Sequence, residues 1–171
     1  MNKILSTVLS AAVIASMAGC STPASSKTSS TGEGKTSVVA EDGTKSEGVM
    51  TYAEYVDAAV DSEVTVETYV QAKQGWWEDK GVGKATLYTQ DQEGAYFLYN
   101  VEMSEEDYNK LTEGTKIKAV GYKSEWSGEV EITDATFEIE EGNYVAEPVD
   151  LTDMLANEDE LIKHQNEKFS V

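Results

Sequence analysis

Apolar and polar positions alternate strictly in "EVTVETYVQA": Val64, Val66, Thr68 and Val70 fall on one side, Glu63, Thr65, Glu67 and Tyr69 on the other. A period of two with one apolar side predicts a strand that buries a single face. Before it, "TYAEYVDAAVDSE" has a helical period. Tyr52, Tyr55, Val56, Ala59 and Val60 share one face there, and Thr51 with Glu54 has capping-box spacing. After it, "QAKQGWWEDKGVGKA" sets Trp76 and Trp77 among glycines and charges and predicts a long loop. Strands are predicted at Ala85–Gln90 and Ala95–Glu102, parted by the turn "DQEG". "SEEDYNKL" predicts a short helix with Ser104 as its cap, acids in its first turn, and Tyr108 and Leu111 as its apolar face. "TKIKAVGYK" predicts a fourth strand, "SEWSG" a turn, and "EVEITDATFEIEEG" a fifth strand. Val130, Ile132, Phe137 and Ile139 stay on one side of that fifth strand only if an extra residue sits near Asp134 or Ala135, which predicts a β-bulge.

Five strands with a helix between the third and fourth is the order of the OB-fold, a five-stranded Greek-key barrel. The predicted class is therefore mainly β, with helical segments at both ends. The run "LTEGTKIKAVG" from Leu111 to Gly121, together with this element order, resembles OB-fold domain lipoproteins of Gram-positive bacteria. More distantly it is similar to the wider bacterial OB-fold superfamily. The resemblance spans roughly residues 64–139 and implies a fold more than a function, because OB-folds host many binding activities. Gly114 suits the helix exit, and Gly121 a strand position where a missing side chain allows sharp coiling. The expected domain is 50–147. Beyond it, 148–171 reads as a helical segment, Leu151–Gln165, followed by a strand-like "KFSV". That stretch is either an acidic tail packed on the barrel or the front of a second, similar domain.

The N-terminal pattern differs from both. One Lys, an apolar run from Ile4 to Ala18 and then small residues have the layout of a secretory signal, 1–19. The run is shorter than the roughly 20 residues that span a bilayer. Met17-Ala18-Gly19-Cys20 resembles the lipobox of bacterial lipoproteins, with Met where Leu is usual, and the resemblance implies lipidation of Cys20. Cys20 is the single cysteine in the chain, so an internal disulfide is excluded. Two acyl chains on that residue would hold the protein stably on the extracellular face of the cell membrane. Residues 20–48 are rich in Ser, Thr and Gly and nearly lack large apolar side chains, which predicts a disordered tether. Such a tether would span roughly 30 Å on average.

Charge narrows the partners. The chain carries 13 Lys+Arg, all of them Lys, against 32 Asp+Glu, a formal net charge of −19. Nucleic acid and anionic lipid surfaces are bound through cations, so neither is an expected partner. His164 is the single histidine and reads as a surface residue in the C-terminal segment. No Ser-His-Asp or Cys-His set can be assembled from it, and no transition-metal ligand set is apparent. The carboxylate pairs, such as Glu105-Glu106 and Glu140-Glu141, read as solvated faces. "DQEG" lacks the spacing of a calcium loop. The expectation is a monomeric, non-enzymatic protein without a cofactor.

Candidate chemistry is left to the aromatics. OB barrels meet ligands on strands two and three and on the loops joining strands one to two and four to five. Trp76 and Trp77 fall in the first of those loops and Trp126 in the second, with Tyr88 and one parity of "AYFLYN" (Tyr96, or Phe97 with Tyr99) between them. The expected ligand-binding set is Trp76, Trp77, Tyr88, Tyr96 and Trp126. It would stack on an oligosaccharide or a cell-wall fragment, or hold a peptide. The bland alternative is that a tryptophan folds over the open end of the core; neighbours in an extended loop point opposite ways, so one of the pair would cap while the other faces out. The alternative function is an acidic interaction subunit of a cell-envelope complex.

Overall fold

The computed structural model describes residues 45–171; the expected signal segment, Cys20 and most of the expected tether lie outside them. The fold is mainly β. A short helix, α1 (Tyr52–Asp57), leads into β1 (Glu63–Lys73), followed by β2 (Trp77–Asp79), β3 (Val82–Gln90) and β4 (Ala95–Glu102). Helix α2 (Glu105–Lys110) crosses to β5 (Thr115–Trp126) and β6 (Glu129–Asn143). The six strands form one sheet in the order β1-β5-β6-β4-β3-β2, and β1 also pairs with β3. The pairings thus return on themselves as an uneven ring. The β1–β5, β3–β4 and β5–β6 joints are long and the β1–β3 joint is shorter, all antiparallel, whereas β4 and β6 run parallel and are paired only at Leu98 with Ile132.

Local chemistry accounts for the elements. The capping box at Thr51 and Glu54 forms as the spacing predicts. The helix nevertheless stops at Asp57, so Val56 and Val60 remain exposed and only Tyr55 of the expected face is buried. Its terminal carbonyls are held by Lys123, whose buried Nζ donates to Tyr55, Val56 and Ala58 at 3.0, 2.7 and 2.8 Å. A cation at this end suits both the unpaired carbonyls and the helix dipole. In β1, Val64, Val66, Thr68 and Val70 are buried as the alternation requires. The opposite face is covered too. Glu67 is 2% exposed, with Lys116 3.6 Å away, and Tyr69 stacks edge-on against Tyr144.

The expected bulge forms. Val120 pairs with Thr136 and Tyr122 with Thr133, so Gly121 faces the additional residues, and Asp134 takes a φ of 50°. A Cβ on Gly121 would lie 2.7 Å from the Ile132 side chain and 2.8 Å from the Thr133 carbonyl. The missing side chain lets β5 press onto the bulge.

Three expectations ahead of the C-terminal segment need correction. The loop expected over Gln71–Ala85 holds a hairpin instead: β1 runs on to Lys73, and β2 pairs with β3 from Trp77 with Lys84 to Asp79 with Val82. Lys80 and Gly81 both have positive φ, the backbone a tight two-residue hairpin turn requires. "SEWSG" is likewise not a turn throughout. β5 runs on to Trp126, and Ser127-Gly128 alone reverses the chain. Finally, Lys45–Gly48 is fastened to the sheet. Lys45 Nζ donates to the Glu67 carbonyl and to Asp91 Oδ2, because its ammonium meets a carboxylate that would otherwise be buried unpaired.

The "DQEG" turn forms around that same Asp91. Its Oδ1 accepts from the backbone N–H groups of Glu93 and Gly94, and its Oδ2 from the Tyr96 hydroxyl at 2.9 Å as well as from Lys45.

The C-terminal segment contains no continuous helix over Leu151–Gln165. Two 3₁₀ turns flank a single helical turn, α3 (Glu158–Leu161). Beyond them, β8 (Phe169–Ser170) pairs in parallel with β7 (Val149–Asp150). The segment is docked on the sheet. Gln165 accepts from Val130 N–H and donates to the Gly128 carbonyl, and Lys168 N–H donates to Gln90 Oε1.

Candidate functional site

Strand parity decides which aromatics face outward. Leu98 in β4 and Ile132 in β6 are fully buried at their joint, so Phe97 and Tyr99 turn to the opposite face, where Phe97 is largely covered and Tyr99 is exposed. A bulge opposite Thr86 absorbs Asn100, which has a φ of 50°, and returns Val101 to the core without turning Tyr99 inward. Across from Phe97, Tyr88 in β3 lies on the same surface, its ring 5.1 Å from that of Phe97, with Tyr99 6.1 Å further along. Gln74 donates to the Tyr88 hydroxyl and holds its ring. Trp126 ends β5 opposite Glu129 and is 74% exposed.

These four aromatics, with Glu129, Glu131 and Asn166, line a groove of about 460 Å³. It lies directly over the junction of β4 and β6. The two carboxylates sit there because "GEVEI" starts β6, and its alternation sends Val130 and Ile132 to the core and Glu129 and Glu131 outward. Glu131 is only 8% exposed, and burial, with Glu129 beside it, holds its carboxyl above the usual carboxylate range. Glu129 Oε1 is buried and accepts no hydrogen bond from the described residues.

Three of the five expected ligand residues lie elsewhere. Tyr96 is fully buried. Its ring packs 5.0 Å from that of Tyr55 and 5.4 Å from that of Tyr52, and its hydroxyl is held by Asp91. Phe97 and Tyr99 occupy the outward parity in its place. Trp76 packs against the core, where its indole N–H donates to the Met103 carbonyl at 3.2 Å. Trp77, its neighbour, is 43% exposed, so the pair splits into one cap and one outward ring. Trp77 nevertheless lies away from the groove. Through Lys84 it is level with Glu102 at the far end of β4, whereas the parallel joint to β6 sets Trp126 and Glu129 level with the Ala95 end. The structure therefore brings together Tyr88 and Trp126 from the expected set and adds Phe97, Tyr99, Glu129 and Glu131.

No protein-family model, curated protein or solved structure matches the chain.

His164 is partly buried, not a free surface residue. Its Nδ1 lies 2.8 Å from Glu167 Oε2 within the docked C-terminal segment. That segment also shapes the groove: Asn166 lines it, with a φ of 66° that turns the chain at that point. Among the described residues no three His, Cys, Asp or Glu are grouped to hold a metal ion, and no helix is long and apolar enough to cross a membrane.

Proposed function

We propose that the chain is a lipid-anchored, non-enzymatic OB-fold binding module on the outer face of a bacterial cell membrane. Its groove would engage an oligosaccharide, a cell-wall fragment or a peptide. The convergence of Tyr88, Phe97, Tyr99 and Trp126 on one groove carries this reading. Flat aromatic faces beside hydrogen-bond acceptors suit the alternating apolar and polar faces of a sugar ring or a flexible peptide. The OB assignment is supported by the pairing order. Taking β1, β3, β4, β5 and β6 as strands one to five, α2 falls between the third and fourth, and the third pairs in parallel with the fifth. The groove then lies on strands two and three with the end of strand four, where such barrels meet ligands.

The test is a glycan and peptide array probed with the full-length protein and with its Trp126→Ala and Tyr99→Ala variants. Loss of one aromatic ring is expected to weaken binding by about 1–3 kcal/mol, the range measured for base stacking on such rings. Correctly folded variants that bind as the parent does would overturn the reading. A salt series separates it from docking of a basic protein on the acidic surface, since only the latter weakens steeply with ionic strength.

A further inference from the structure

Two carboxylates stand in the groove without the partners that buried carboxylates ordinarily have. Glu131 is more than nine-tenths buried and its side chain makes no hydrogen bond or ion pair among the described residues, its carboxylate oxygens keeping access to the groove it lines. Glu129 Oε1 is buried and likewise accepts nothing. Elsewhere in the same molecule the buried acids have a cation beside them: Asp91 has Lys45, and Glu67, whose Oε1 also accepts no hydrogen bond, has Lys116 3.6 Å from its other oxygen. A buried carboxylate left with unused acceptors is unfavourable, and two side by side also repel. Around them the rings of Tyr88, Phe97, Tyr99 and Trp126 present negative π-faces. Carboxylates and rings alike therefore favour a cation, and the acceptor at Glu129 Oε1 requires one that can donate a hydrogen bond.

Resting on the groove's reading as a ligand site, we infer that its ligand carries a protonated primary amine. The N–H groups of such an amine would donate to Glu129 and Glu131 while its apolar body stacks on the aromatics. A quaternary ammonium would fill the cage and leave Glu129 Oε1 without a donor. An amino sugar and a lysine-like side chain supply the same chemistry. Both have carbon bodies that a neutral, acetylated analogue shares.

The experiment titrates the full-length protein with a glucosamine trimer, its fully N-acetylated counterpart, and Nα-acetyl-lysine amide, following tryptophan fluorescence. The glucosamine trimer or the lysine amide is expected to bind, and whichever is tighter identifies the source of the amine. The acetylated trimer should bind about tenfold or more weakly than the free amine, since it loses charge-assisted hydrogen bonds. Glu129→Gln with Glu131→Gln should reduce amine binding by a similar factor. Exposed Glu78→Gln with Asp79→Asn, which changes the net charge equally, should leave it unchanged. Removing buried charges spares the fold, which unchanged circular dichroism would verify. Equal binding of amine and acetylated trimers overturns the inference but leaves the groove's reading standing. Amine binding that falls equally in the Glu78/Asp79 variant also overturns it. Binding of none of the probes overturns both.

Discussion

At the scale of single residues, the molecule distinguishes acids that hold structure from acids whose oxygens stay open to the groove. Asp91 belongs to the first kind, fixing the turn through two backbone N–H groups and joining Tyr96 to Lys45. Asp91→Ala should reduce stability by about 3–5 kcal/mol, the scale for removing one partner of a buried ion pair; urea unfolding measures it. Glu129 and Glu131 belong to the second kind, and nothing in the sequence marks them. With 32 Asp+Glu in the chain, any carboxylate on a strand passes for a solvated one. Tyr96 escapes the pattern for a related reason. In "AYFLYN" nearly every position is apolar or aromatic, so alternation does not reveal which parity is inside. The inner parity is set by Tyr52 and Tyr55 stacking on Tyr96 from a helix distant in sequence.

At the scale of elements, most of what a period or a cap can encode is legible. The strand at Val64–Val70, the capping box at Thr51, the Ser104 cap and the bulge at Asp134 all occur where their patterns point. The β2–β3 hairpin is hidden because its signal is two residues long. Lys80-Gly81 is a tight turn only if the flanking residues pair, and glycines at Gly75 and Gly83 make those flanks read as loop. Gly83 in fact serves close packing, since a Cβ there would lie 2.4 Å from the Trp76 ring and 2.6 Å from the Met103 carbonyl. Gly83→Ala must therefore displace both the cap and the backbone it bonds to. A loss of about 1–3 kcal/mol is expected, as for other overpacked sites, with a change in Trp76 fluorescence as its local signature.

At the scale of the whole molecule, the core combines aliphatic strands with a cluster of tyrosines whose phenols are protected. Burial first, then nearby charges, raises the ionisation of Tyr55 and Tyr96 above the ordinary phenol value. In the unfolded chain they ionise near 10, so the folded state is fully favoured below that pH and loses the advantage as pH rises beyond it. Alkaline titration should show these two rings gaining phenolate absorbance only together with loss of the far-ultraviolet β signal. The ring itself has one weak joint. β4 and β6 meet at the single pair Leu98 and Ile132; Tyr88, Phe97 and Tyr99 stand on one lip of that seam, and Trp126 with the two glutamates on the other. Parting of these lips would widen the cleft. A bound molecule bridging the two would act as a stitch, so occupancy should slow amide exchange along both strands.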